Sequence, residues 1–367
     1  SNGVTPLHLA AKNGHIEIIQ LLIERGANVS AADNTGRTPL HLAATSGCIK
    51  TVQKLNECGA NLNTVDNNGW SPLLSAALGG NSEVVRVLNE FGAKLNDGLI
   101  KSDLHLNKTY DYGRTDLHIA ALNGSTQIAQ ILIKIRASVT TTDSYDQTPL
   151  HLAAKGGHIK MVQFLINNGA KLNATDKDGQ SALHLAANGG HIDTVQLLIE
   201  RGGNLDATNK DRNTPLHLAV KHGKDTAETL INNGADISVK DNSGRTPLHV
   251  AAKYGRSLVI ESIINNGAII SVTDNSGRTP LHLAAKHNKD YAAETLINNG
   301  ADVNAKNIYR RTPLHLAAEH GCIWTVKKLI ELGASLNEFD WFRNTPLHLA
   351  NKRNYHEIAR ILSEAAS

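Results

Sequence analysis

The sequence predicts an all-α solenoid of stacked helix-turn-helix units joined by β-hairpin-like finger loops. Three observations carry that prediction. The tetrapeptide Thr-Pro-Leu-His begins at Thr5, Thr38, Thr148, Thr214, Thr246, Thr279, Thr312 and Thr345, with degenerate copies beginning at Ser71, Thr115 and Ser181. The spacings are 33, 33, 44, 33, 33, 33, 32, 33, 33 and 33 residues, and all 9 prolines occupy the second position of the motif. Between copies, apolar residues recur with helical period, as in Ile16, Ile19, Leu22 and Ile23.

Each element has a local cause. Thr38 caps a first helix, and Pro39 takes its first position, where a missing N–H loses no hydrogen bond. Leu40, Leu42, Ala43 and Ala44 follow, the alanines small enough for a neighbouring helix to approach closely. Gly47 ends this helix in a left-handed turn. A second helix comes next, closed in the first repeat by Gly26, and residues 28–37 form a finger around an Asp-Asn-Thr-Gly turn. One helix pair cannot cover both of its apolar faces, so the stack of eleven copies is the stable object.

Thr-Pro-Leu-His-Leu-Ala-Ala, then Gly-His or an equivalent, Leu-Leu-Ile-x-x-Gly-Ala and Asp-x-x-Gly-x-Thr together resemble the ankyrin-repeat family over nearly all of residues 3–367. The resemblance implies one ankyrin-repeat domain over 1–367 and a curved superhelix with a concave face. It also implies a non-catalytic scaffold that meets partner proteins with its finger tips and first helices.

The pattern breaks in few places. Eleven extra residues between Ser71 and Thr115 place an insertion at about 97–107, a loop whose deletion is expected to leave the array folded. The spacing of 32 after Thr214 implies a tighter turn. The chain begins inside a finger with no polar capping repeat, so a piece of a longer protein is expected. Ser363 and the residues after it resemble a weak C-terminal cap.

Composition narrows the function. Net charge is +3, with 16 basic and 15 acidic side chains in residues 1–183 and 21 and 19 in the remainder, which gives no bulk reason for a nucleic-acid partner. Three cysteines (Cys48, Cys58 and Cys322) form no Cys-x-x-Cys pair and suit a reducing compartment. With no run apolar enough to span a bilayer, the expected location is intracellular and cytoplasmic, with the nucleus or a host cell entered by an effector as alternatives. A monomer is expected.

Eighteen histidines invite a metal or catalytic reading. Ten occupy the fourth motif position, from His8 to His348, one repeat apart. That is roughly 10 Å, whereas zinc needs its ligands at about 2 Å, so these are read as buried hydrogen-bonding groups. His356-Glu357 lacks the second zincin histidine, since position 360 is Arg, and Asp176-Lys177-Asp178-Gly179 lacks the Glu of a calcium loop at Ala187. No cofactor, metal or small-molecule substrate is expected, and no enzyme.

The variable positions beside the motif single out two surfaces. Toward the C-terminus they include Arg212, Lys221, Arg245, Lys253, Tyr254, Arg278, Lys286, Tyr309, Arg310, Arg311, Trp341, Phe342 and Arg343. Basic groups among aromatics suit an acidic protein partner, with an anionic nucleic acid or lipid headgroup as the alternative. Arg212, Arg310 and Arg343 stand where the turn pattern wants Gly, which leaves the shape of those fingers open. The second surface is an apolar patch of Trp70, Leu78, Tyr110, Tyr112 and Leu122, with Leu74 in place of a motif His. Trp324 falls separately, on a second helix.

Overall fold

The computed structural model describes residues 2–94 and 109–367, so the insertion expected at 97–107 lies outside the described residues. Among them there are 22 α-helices, one 3-10 turn (Asp111–Gly113) and no strand. Two compact units divide the chain, Ser1–Lys177 and Asp178–Ser367. In the first, helix pairs follow as α1 (Pro6–Asn13) with α2 (Ile16–Glu24), α3 (Pro39–Ser46) with α4 (Ile49–Glu57), α5 (Pro72–Leu78) with α6 (Ser82–Glu90), α7 (Asp116–Leu122) with α8 (Thr126–Lys134), and α9 (Pro149–Lys155) with α10 (Ile159–Asn167). In the second they are α11 (Ala182–Gly189) with α12 (Ile192–Glu200), α13 (Pro215–Ala219) with α14 (Lys224–Asn232), α15 (Pro247–Tyr254) with α16 (Ser257–Asn265), α17 (Pro280–Lys286) with α18 (Asp290–Asn298), α19 (Pro313–Glu319) with α20 (Ile323–Glu331), and α21 (Pro346–Lys352) with α22 (His356–Ala366).

Within each unit, first helices pack on first helices and second helices on second helices. Across the long spacing, α5 packs chiefly on α8. The core is a thin layer of small and branched side chains: Leu40, Ala43, Ala44, Val52 and Leu55 are fully buried. Such a layer accepts a new copy on either side, which is why period rather than bulk sets the fold.

The motif ties neighbouring repeats together. The Thr38 N–H donates to His41 Nδ1 (3.1 Å), and His41 Nε2 donates to the Trp70 carbonyl, 29 residues on (2.9 Å). Since Nδ1 accepts, the proton must sit on Nε2. His8, His118, His184, His217, His249, His282 and His315 reach the carbonyls of Arg37, Gln147, Asn213, Arg245, Arg278, Arg311 and Asn344 in the same way, and His151 reaches Ala174. Nine of the ten motif histidines are buried as expected, and His348 is exposed. Burial pushes His41, His118, His217 and His315 below the ordinary value of 6.5, and His249 and His282 to about 4. They are neutral linkers.

The fingers are turns rather than strands. At most bases a side-chain oxygen, such as Asp241 Oδ1, accepts the backbone N–H groups of the residues two and four further on (both 2.8 Å). Except across the long spacing, one backbone bond joins a tip to the one before it, as from the Asn275 N–H to the Ser243 carbonyl (3.0 Å). The turn needs a left-handed residue, supplied by Gly244 at φ 76°. Arg212, Arg310 and Arg343 adopt the same conformation at φ 59°, 57° and 60°, as does Asp146 at 57°. The finger shape therefore survives without glycine.

The spacing of 32 shortens α13 to five residues. Gly223 caps the following helix there. At the equivalent sites the side chains of Arg256 and Cys322 bond back to the Lys221 and Lys286 carbonyls (3.0 and 3.4 Å). Glycine cannot make that bond.

Candidate protein-binding surface

The finger of the last repeat is built on Asp340. Its Oδ1 accepts the N–H groups of Phe342 (2.9 Å) and Asn344 (2.8 Å), and Oδ2 accepts Arg311 Nε (3.1 Å). Burial alone would raise this carboxyl, but the Asn344 N–H and the Arg311 guanidinium outweigh it and hold it below the usual range. The rigid base projects the tip outward: Trp341 is 65% exposed and Phe342 69%. Trp341 is anchored by its N–H on the Tyr309 carbonyl (3.1 Å), and the Tyr309 ring meets the indole edge-on at 6.4 Å.

Beside it lies a hollow of about 410 Å³ lined by Arg310, Phe339, Asp340, Trp341 and Arg343. Neither Arg310 nor Arg343 makes a side-chain hydrogen bond or ion pair among the described residues, and both residues are exposed. Two unpaired cations and several bare rings around one hollow can hold a carboxylate and an apolar side chain together. Phe339, 53% exposed, belongs to this site although the sequence analysis passed over it. The signal was present, because Thr142, Thr175, Thr208 and Thr273 occupy the equivalent finger position.

The other basic candidates sit in four settings. Arg278 is bound to Asp274 (2.7 Å), and Arg311 to both Asp340 (3.1 Å) and Glu319 (2.7 Å), so these two brace the fingers. Arg245 is half-buried, its Nε without a partner. Lys221, Lys253 and Lys286 lie at the ends of successive first helices, half-buried, with Lys253 over the Tyr254 ring at 5.4 Å. Arg212 stands exposed at its own finger tip.

The apolar patch is only partly assembled. Trp70, Leu78 and Tyr110 line one cleft of about 300 Å³, together with Arg37, Ser75 and Asp116. The Tyr110 hydroxyl donates to Asp116 Oδ1 (2.8 Å); burial and that carboxylate push the phenol up to about 12. Tyr112 turns instead to a neighbouring finger, its ring 5.8 Å from that of Tyr145 and 5.4 Å from the Arg114 guanidinium. Leu122 is exposed outside the cleft, and Leu74 is buried in the core. Trp324 stands 64% exposed on α20, with Lys327 over its ring.

Among the described residues, no three His, Cys, Asp or Glu side chains gather closely enough to hold a metal ion. No helix there is long and apolar enough to cross a membrane.

Tied helix pairs with side chains displayed on fingers and first helices define a class of repeat proteins that generally serve as protein-interaction modules. Ankyrin-repeat profiles match residues 1–66, 97–176, 168–241, 236–307 and 304–367 as sets of three copies, and residues 68–97 as a single repeat. The chain belongs to the ankyrin-repeat family. A comparison with curated proteins returns no match.

Proposed function

We propose that this chain is a non-catalytic scaffold that binds a partner protein at the finger tips around Arg310, Phe339, Trp341, Phe342 and Arg343. The observation that carries the reading is the pair of unpaired arginines held in left-handed backbone beside exposed rings. Such a residue gives up roughly 1–2 kcal/mol relative to glycine; among the described residues neither guanidinium makes a hydrogen bond or ion pair, Arg310 acting only at longer range to help hold the Glu338 carboxyl down. An acidic protein surface with a protruding apolar residue fits both features. Three free thiols, with Cys322 buried and its pKa raised by that burial, suit a reducing, intracellular setting.

The test is Arg310→Glu with Arg343→Glu, leaving the bracing Arg311 untouched. Partner capture by the intact chain and loss of that capture in the variant, at unchanged helical circular dichroism, is the expected result. Equal capture by both proteins would reject the site. Duplex DNA serves as the competing probe, because phosphate-led binding weakens with salt at a logarithmic slope near −0.9 per contact. A steep slope on DNA, with no protein captured, would replace this reading with an anionic-ligand one.

A further inference from the structure

In the second unit several long cations are held by carboxylates: Arg278 by Asp274, Lys306 by Glu338, Arg311 by Asp340 and Glu319, and Lys328 by Glu294 and Glu331. The row formed by Lys221, Lys253 and Lys286 is not. These three occupy the same position in three consecutive repeats, at or just past the ends of α13, α15 and α17. Each is half-buried, and none makes an ion pair among the described residues. In the next repeat the position changes sign to Glu319, whose carboxylate is already held by Arg311 and Arg353. The uncompensated row therefore ends there.

We propose that this row holds an extended acidic segment of a partner protein, one carboxylate per lysine and three partner residues per repeat. The proposal rests on the scaffold reading above and adds the chemistry and register of what is bound. The register follows from two lengths. Packed helices stand roughly 8–10 Å apart, and an extended chain of polyproline-II form advances about 3.1 Å per residue with three residues per turn, so that every third side chain shares one face. Three residues then span one repeat, so acidic side chains at every third position meet successive lysines. A nucleic-acid duplex fits poorly, since it presents a charge about every 1.7 Å.

His287 senses the same field. It lies next to Lys286 and is pushed to about 4, first by burial and then by Lys253, Lys286, His320 and Lys289. A helix end favours a nearby cation, yet at this ring the surrounding positive side chains prevail. A carboxylate placed between Lys253 and Lys286 opposes them and raises the value. The His287 titration therefore reports occupancy.

The experiment compares two short synthetic peptides of identical composition, one with glutamates at every third residue and one with them in a single block. Each is titrated by fluorescence anisotropy into the intact chain, the Lys221→Glu/Lys253→Glu/Lys286→Glu variant and the Arg310→Glu/Arg343→Glu variant. The spaced peptide is expected to bind the intact chain about tenfold more tightly than the block, in keeping with a few exposed ion pairs. That preference should vanish in the lysine variant and persist in the arginine variant. Bound spaced peptide should also move the His287 NMR titration upward from about 4. Equal affinity for the two peptides, or an unmoved His287, overturns the proposal. If the lysine variant loses helicity, the corresponding Lys→Gln variant takes its place. Loss of the peptide only in the arginine variant would leave the finger-tip reading standing and remove this one.

Discussion

Arg310 and Arg343 show at single-residue scale how binding and stability pull apart. Their left-handed φ values suit glycine, so Arg310→Gly and Arg343→Gly should each raise stability by about 0.5–1 kcal/mol, net of glycine's greater chain entropy. The same changes should weaken partner capture, with urea denaturation and a binding assay measuring the two effects. Stabilisation without loss of binding would show that the guanidinium groups are idle. The motif histidines give a second residue-level expectation, with a definite sign. His249 and His282 titrate near 4 when folded and near 6.5 when unfolded, so the unfolded chain binds more protons between those values. Their contribution is complete above pH 6.5 and is lost as pH falls toward 4, at roughly 1 kcal/mol per pH unit for each. Urea midpoints taken from pH 7 to pH 4.5 should show that slope, and His249→Gln should reduce it.

At the scale of the element, the finger turns carry the sharpest demand on sequence. A Cβ on Gly244 would lie 2.7 Å from the Asn275 backbone nitrogen, the group that donates the cross-finger bond to Ser243. Gly244→Ala should therefore cost at least 2 kcal/mol, combining strained φ with the displaced neighbour. Gly234 has a similar φ of 89° but open space around its Cβ, so Gly234→Ala should cost only about 1 kcal/mol. Thermal unfolding of the two variants checks the difference. The same contrast explains what the sequence made legible. Thr38, Pro39, His41 and Gly47 act within one repeat or on a fixed partner in the next, so period and residue type were sufficient to place them. The distinction between Arg310 and Arg311 was not readable in that way. These neighbours look alike in sequence, yet one faces a hollow while the other bonds Asp340, 29 residues further on. Side-chain direction across a repeat boundary settles which cation is free, and a linear pattern does not encode it.

At the scale of the molecule, each unit is chiefly a sum of neighbour interactions, and among the described residues the helices pack on those of their own and adjacent repeats. Excising residues 246–278 removes one complete repeat and brings Arg245 before Thr279, where Arg278 stands now. The shortened chain should remain helical with a lower unfolding midpoint, whereas excising 257–272 strands one helix without its partner and should unfold its surroundings. Circular dichroism and hydrogen exchange distinguish the two outcomes. The histidine links have one more consequence. Each Nε2 proton is committed to a carbonyl of the adjacent repeat and shielded from solvent, so its exchange waits on that joint opening. The protein thus carries a set of intrinsic reporters, one at every joint but that after the third repeat, where Leu74 replaces the histidine, and the order in which their signals fade under rising temperature would reveal where the structure loosens first.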